Sequence, residues 1–307
     1  MADEIIDLED TKIRRGDHVV RGTAADGMVR AFGITARETV QTARDLHHSS
    51  PLVTAALGRL LMAGQMMGVM LKGEDELITL RIDGDGPIGG LTVTANTRGQ
   101  VKGFANHPNV WLPHNAKDKL DVGAGIGNGK LTVIRDQPGI EPYASQVDLT
   151  SGEIGDDLTS YFATSDQVPT SVGLGVLVDR EGDVKQAGGF IVQLMPDHDD
   201  AVVDTLESRL KQVSSVTSLL EQGLTPAQIL ENILGGMDFQ ELDATPVEFH
   251  CDCSKERTKR AVIALGADAL REMIAEGKPA EVHCNFCGKR YVLTVDELKQ
   301  LLDEALG

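Results

Sequence analysis

The feature that most constrains this chain is where it keeps its thiols. All four cysteines of the 307 residues fall in two close pairs, Cys251-Asp-Cys253 and Cys284-Asn-Phe-Cys287. Such pairs hold a metal, form disulfides, or do both in turn. Four thiolates suit tetrahedral zinc, and a Cys-x-x-Cys turn followed by Gly288-Lys289 is a common half-site of a zinc knuckle. The Cys-x-Cys half is less usual, and the gap from Ser254 to His283 is longer than finger spacing. The expected site is still one zinc ion held by Cys251, Cys253, Cys284 and Cys287.

His250 and His283 each precede a pair, but four cysteines already complete the shell. The histidines are therefore read as orienting partners or as merely exposed. Lys255, Arg257, Lys259 and Arg260 follow the first pair, and Lys289 and Arg290 the second. A zinc tetrathiolate is formally dianionic, so these cations are expected to stabilise it and keep the sulfurs as thiolates. Thiolate is the form that peroxide or hypochlorous acid oxidises to a sulfenic acid, which a neighbouring cysteine resolves to a disulfide. A permanently reduced structural zinc fits the same spacing equally well.

Composition narrows the setting. With 47 acidic against 29 basic residues the net charge is −18, which works against nucleic acid as a partner. Met1 to Asp10 reads MADEIIDLED, acidic where a secretory leader is basic and then apolar. The best membrane candidate, Leu52 to Leu71, contains Arg59, Gln65 and three glycines. An arginine near mid-bilayer costs at least ~2.5–3.5 kcal/mol, so the stretch reads as a buried helix. The expected compartment is cytoplasmic, where clustered cysteines mean metal or redox sensing more than structural disulfides.

Patterning places these residues in an α+β fold. His18 to Gly22 and Met28 to Gly33 read as strands around an Ala25-Asp26-Gly27 turn. A helix follows from Ala36, with Val40, Ala43, Leu46 and His47 on one face, and Pro51 starts the next. Leu77 to Ile82, Leu91 to Ala95, Val101 to Ala105, Leu131 to Arg135, Val172 to Val178 and Phe190 to Leu194 read as strands. Ser151 is expected to cap a helix over Glu153 to Phe162. Asp199 to Leu220 carries one helical period, and Thr225-Pro226 opens a shorter helix; both need a partner surface to stay folded. In the cysteine segment a helix over Ala267 to Glu276, a hairpin around Cys284 and Cys287, and a last helix capped by Asp296 are expected. The predicted organisation is an α+β core over residues 1–196, a metastable helical linker over 197–246, and a small zinc domain over 247–307.

Cys251-Asp-Cys253-Ser-Lys-Glu-Arg257, Ala264-Leu-Gly266, Glu281-Val-His-Cys284-Asn-Phe-Cys287 and Tyr291 resemble the signature of the redox-regulated 33 kDa chaperonin family (heat shock protein 33). Along the rest of the chain His48-Ser-Ser-Pro51, Leu57-Gly-Arg59, Leu71-Lys-Gly73, Gly84-Asp-Gly-Pro87, Lys119-Leu-Asp-Val-Gly123, Ser151-Gly-Glu-Ile154 and Gly188-Gly-Phe-Ile-Val-Gln193 resemble family segments in the same order. The resemblance implies a chaperone that holds unfolding clients without ATP and is switched on by oxidation. It implies that Cys251 bonds Cys253 and Cys284 bonds Cys287 as zinc is expelled, that the zinc domain and linker then unfold, and that the reduced monomer becomes a homodimer.

Other chemistries read less well. Gly123 to Gly129 lacks the Gly-x-Gly-x-x-Gly register because Asn128 and Lys130 stand where glycine is required, so it reads as a flexible turn, and no Walker loop is present. Met62, Met66, Met67 and Met70 lie at helical spacing and read as core more than as a client-binding stripe. Asp156, Asp157 and Asp166 lack an organising partner for acid/base work. The cysteines are read as ligands and switches, and the protein as no enzyme. The competing readings are a constitutive zinc interaction module and a thiol oxidoreductase using Cys284 and Cys287, the latter without the expected βαβ context.

Overall fold

A computed structural model describes residues 13–179, 181–213 and 215–306, so the acidic stretch Met1 to Asp10 lies outside the described residues. The chain forms two compact units, Met1–His250 and Cys251–Gly307.

The first unit opens with a hairpin of β1 (His18–Ala24) and β2 (Val29–Thr35). Ala25, Asp26 and Gly27 all take positive φ, the hand that matches strand twist in a tight turn. Helix α1 (Arg37–His47) buries Val40 and Ala43, but Leu46 of the predicted apolar face is 39% exposed.

Helix α2 (Pro51–Gly68) is buried at every position except Pro51 and Arg59. A helix apolar all round belongs in the middle of a core, and α2 lies against strands of both large sheets. Its glycines allow that approach: a Cβ on Gly58, Gly64 or Gly68 would stand 2.6–2.8 Å from Val40, Val93 or Asn96. Arg59 reaches Glu153 at 2.6 Å. Met62, Met66 and Met67 are core residues, at most 2% exposed.

Next come β3 (Leu77–Gly84), β4 (Leu91–Asn96), β5 (Gln100–Ala105), the short helix α3 (Val122–Ile126), β6 (Gly129–Asp136) and β7 (Tyr143–Asp148). The expected flexible turn at Gly123 to Gly129 is in fact α3 and its exit, capped by Asp121 and bound back through Asp85 N–H to the Asn128 carbonyl at 2.8 Å. Its glycines are there for packing, since a Cβ on Gly129 would fall 1.9 Å from the Asp83 carbonyl.

Helix α4 (Gly155–Tyr161) begins later than expected and is not capped by Ser151. Buried Asp157 instead accepts the backbone N–H groups of Thr150, Ser151, Gly152 and Ile154 at 2.7–3.3 Å. After a π-turn at Phe162–Asp166 come β8 (Thr170–Val178) and β9 (Val184–Leu194). Asp166 is taken up by Arg135 and Tyr161 at 2.6 and 3.0 Å, so the three aspartates form no common site.

The predicted helix over Asp199 to Leu220 is two, α5 (Asp200–Leu210) and α6 (Val216–Glu221), because Ser215 caps a fresh start by accepting Ser218 N–H. Then follow α7 (Pro226–Leu234), which opens at Thr225-Pro226 as expected and is fixed there by a capping box of Thr225 with Gln228, and two strands not anticipated, β10 (Gln240–Pro246) and β11 (Glu248–Phe249).

One sheet has the order β10-β1-β2-β9-β8, the other β11-β5-β4-β3-β6-β7, all neighbours antiparallel except β11 on β5. In the second sheet burial alternates along β3, β4 and β5, the mark of one wet face. In the first, β9 is buried continuously from Ala187 to Leu194. One of its faces joins the α2 core, while α6 and α7 pack on the sheet and α5 on α7. Phe190, Val192 and Leu194 meet Leu206, Leu219, Ile229, Leu230 and Ile233 in this second cluster. Residues 197–246 thus hold a helical layer and an edge strand on the first sheet.

The second unit contains α8 (Lys255–Ile263), α9 (Ala267–Ala275), β12 (Ala280–His283), β13 (Arg290–Leu293) and α10 (Val295–Leu306). Thr294, not Asp296, caps α10: it accepts Glu297 N–H at 3.2 Å while Glu297 accepts Thr294 N–H at 3.0 Å, a capping box. The buried core is Val262, Leu270, Leu293, Leu298 and Leu301. A unit this small with so few buried side chains requires a staple.

Candidate metal centre

The four cysteines come from two local structures. Cys251 and Cys253 lie in the segment entering α8, whose N-terminus is fixed by Ser254 accepting Arg257 N–H at 3.2 Å. Cys284 and Cys287 sit in the loop between β12 and β13, where His283 pairs with Arg290. Within it Cys284 N–H donates to the Lys289 carbonyl at 3.0 Å, and Gly288 N–H to the Cys284 carbonyl at 2.8 Å. Gly288 takes φ 71° to make that turn.

The sulfurs converge. All four Sγ atoms lie within 4.8 Å of one another, half-buried, with Cys251 and Cys284 at 3.7 Å and Cys253 and Cys287 at 3.4 Å. Thiolates about 2.3 Å from a shared zinc stand about 3.8 Å apart, so the array fits that ion. Burial opposes ionisation of Cys253, but hydrogen bonds from Tyr291 and the other thiols outweigh it and bring its pKa to about 7. Burial raises the thiols of Cys251 and Cys287. Cys251 and Cys287 thus resist ionisation while Cys253 favours it, and a cation among the sulfurs would favour the thiolate form.

His250 and His283 are exposed and outside the cluster. The expected role of the basic residues needs correction, because most are engaged by carboxylates. Lys255 and Lys259 both hold Glu297, at 2.8 and 3.1 Å. Arg257 pairs with Asp252, and Arg290 with Glu281 at 3.1 Å. Lys289 lies over the Tyr291 ring, 5.4 Å from its centroid. The cations bind the second unit's elements together more than they neutralise sulfur. Glu297 is the residue that sequence reasoning missed, although the Thr294-x-x-Glu297 box is legible. The Lys255 side chain, Thr294 N–H and Lys259 hold its pKa down to about 2.

In the first unit a cleft of about 890 Å³ runs beside β8, lined by Trp111, Leu112, Leu120, Val172, Leu174 and Val176 among others. Its charged residues include the Arg59–Glu153 pair and Asp156, which accepts the Ser151 hydroxyl at 3.0 Å. No helix among the described residues is long and apolar enough to cross a membrane.

A family model described as Hsp33 protein matches residues 17–294. The 33 kDa chaperonin of Agathobacter rectalis is 55% identical over 285 residues, covering 93% of this chain and 99% of that protein. That of Lachnoclostridium phytofermentans is 50% identical over 286 residues, covering 93% and 98%. The crystal structure of the 33 kDa chaperonin (heat shock protein 33 homolog) from Thermotoga maritima superposes with a TM-score of 0.85 at 37% identity, over 94% of this chain and 99% of that one. Two mainly antiparallel sheets around a buried helix, followed by a small four-cysteine unit, are therefore the fold of a chain that belongs to the Hsp33 protein family.

Proposed function

We propose that the protein is an ATP-independent holdase, inactive while Cys251, Cys253, Cys284 and Cys287 hold one zinc ion and active once an oxidant has joined them in disulfides. The observation that carries this reading is the convergence of four sulfurs within 4.8 Å in a unit with a core of five buried side chains. Bound zinc supplies such a unit with folding free energy, roughly 10–16 kcal/mol in zinc-finger peptides.

The choice of disulfides decides what oxidation does. Peroxide takes two electrons from a thiolate to give a sulfenic acid, and a second thiol displaces water to close the bond. Bonds Cys251–Cys253 and Cys284–Cys287 join near neighbours in sequence, so neither half of the site restrains the other. The cross-pairs Cys251–Cys284 and Cys253–Cys287 lie 3.7 and 3.4 Å apart, but their bonds would span 33 and 34 positions. Loops of that length constrain the unfolded chain by about 3–4 kcal/mol, a staple in place of the one removed. Local pairing is the choice that makes oxidation destabilising.

Unfolding then spreads along the chain. Cys251 lies two residues beyond β11, which holds β5 through only two residue pairs. Before it comes β10, an edge strand, and before that the helical layer. Detaching α5 to α7 exposes Phe190, Val192 and Leu194 on the sheet, together with Ile229, Leu230 and Ile233 on the helices. That apolar surface binds unfolding clients. The cysteines act as ligands and switches, not in turnover. The reduced protein is a cytoplasmic monomer and the oxidised one a homodimer.

The test is light scattering of a heat-denaturing client with reduced zinc-loaded protein and with peroxide-treated protein, reading zinc release in the same samples. Suppression of aggregation only after oxidation, as zinc leaves, is the expected result. Zinc retained and aggregation unchanged in both samples would leave a static zinc module instead.

A further inference from the structure

Tyr291 belongs to β13, on the Cys284–Cys287 side of the centre, yet its hydroxyl reaches the other cysteine pair. The oxygen lies 3.1 Å from Cys253 Sγ and 2.9 Å from the Cys253 carbonyl. Its position is set from several directions. The backbone pairs with Val282 in the hairpin, the ring is 8% exposed, and Lys289 Nζ lies over its face. A side chain placed by one half of the site thus holds a ligand from the other.

We propose that Tyr291 is a positioning residue for the metal ligand Cys253, setting how tightly the centre holds zinc and how readily that sulfur is oxidised. The inference rests on the zinc reading above. A donor to a ligand atom fixes its orientation, and loss of such a partner typically costs 10–100-fold in metal affinity. The same bond draws electron density from the sulfur lone pairs, and sulfur that is less electron-rich is a weaker nucleophile towards an oxidant. A purely packing role for the ring makes neither demand, since phenylalanine would fill the same space.

The experiment uses the full chain carrying Tyr291→Phe, with Tyr143→Phe as control because Tyr143 is 66% exposed in the first unit. Zinc affinity is read by competition with a chromophoric chelator under reducing, oxygen-free conditions. The sulfur-to-metal charge-transfer band is read after cobalt(II) is substituted for zinc. Tyr291→Phe should bind zinc about tenfold more weakly, shift the cobalt band to lower energy and lose zinc to peroxide several-fold faster, while Tyr143→Phe matches the wild type. Unchanged affinity and band would overturn the proposal. Weaker zinc with an unmoved band would also overturn it, assigning the hydroxyl to the Cys253 carbonyl alone. If the wild type binds neither metal, the zinc reading itself fails and takes the inference with it.

Discussion

The two compact units are held together in different ways. Met1–His250 builds its main core around a helix buried on all sides, with a second apolar cluster under the helical layer. Cys251–Gly307 has a core cluster of five buried apolar side chains and a cluster of half-buried sulfurs. Apolar burial is indifferent to oxidants, whereas a thiolate centre is a direct substrate for them. A protein that joins the two in one chain can keep one unit folded while chemistry removes the other. The helical layer belongs to the first unit and is joined in sequence to the second through β10 and β11, the route by which the proposed function has loss of the second unit reach it.

The strongest way to break this contrast is to take away one sulfur. Cys287→Ser should lower zinc affinity beyond the 10–100-fold that loss of an orienting partner costs. It should leave residues 251–307 unprotected in amide exchange and hold clients without oxidant. Retained zinc and retained protection would show that the second unit folds on its apolar core.

Leu61→Ala is the converse test. Leu61 is fully buried in α2, and its truncation should cost about 2–5 kcal/mol. Thermal unfolding of the first unit should fall in reduced and oxidised protein alike, with zinc affinity unchanged. An altered zinc affinity would show that the α2 core, and not the helical layer alone, is coupled to the second unit.

Gly33→Ala sharpens the role of the helical layer. A Cβ there would stand 2.8 Å from the Pro226 carbonyl and 3.1 Å from Leu230, pushing α7 from the sheet at about 1–3 kcal/mol. Limited proteolysis within residues 197–239 should quicken in the reduced, zinc-loaded protein, and client holding should need less oxidant. Unchanged cleavage would mean the layer contributes nothing to the switch.

The smallest effect is expected from Glu297→Gln. Its carboxyl is held from the ordinary 4.5 down to about 2 in the folded protein. Its stabilisation is therefore present above about pH 4.5 and lost as pH falls towards 2. Because the pair is solvent-screened, the melting temperature of the second unit should drop only a few degrees at neutral pH. The difference from wild type should narrow in acid. A difference constant with pH would assign the residue to the helix cap rather than to its charge.

Legibility in the sequence followed the chemistry of each segment. The convergence of the four cysteines was readable because spacing and residue type alone group them. Helix α2 and strands β3 to β6 were readable from their apolar patterns, whereas β7, exposed or half-buried along its length, and the two-residue β11 were not. Strand β10 was not: Gln240-Glu-Leu-Asp-Ala-Thr-Pro246 is a polar edge whose pairing is set by β1, with Arg21 meeting Asp243 far away in sequence. Helix α8 was hidden because Lys255-Glu-Arg-Thr-Lys-Arg260 reads first as charge. The break between α5 and α6 escaped because the apolar period continues across it. The role of Tyr291 depends on a hydroxyl 38 positions from its partner, a distance that no local pattern encodes.

The central claim is that oxidising four thiols unfolds the second unit and then the helical layer, leaving the α2 core intact. Amide hydrogen exchange on reduced zinc-loaded and peroxide-oxidised protein, resolved by peptide, addresses it most directly. Protection should vanish across residues 251–307, fall sharply across 197–250 and persist in α2 and β3 to β6. Protection unchanged across residues 197–307 after all four thiols are oxidised, or lost uniformly along the chain, would contradict the account.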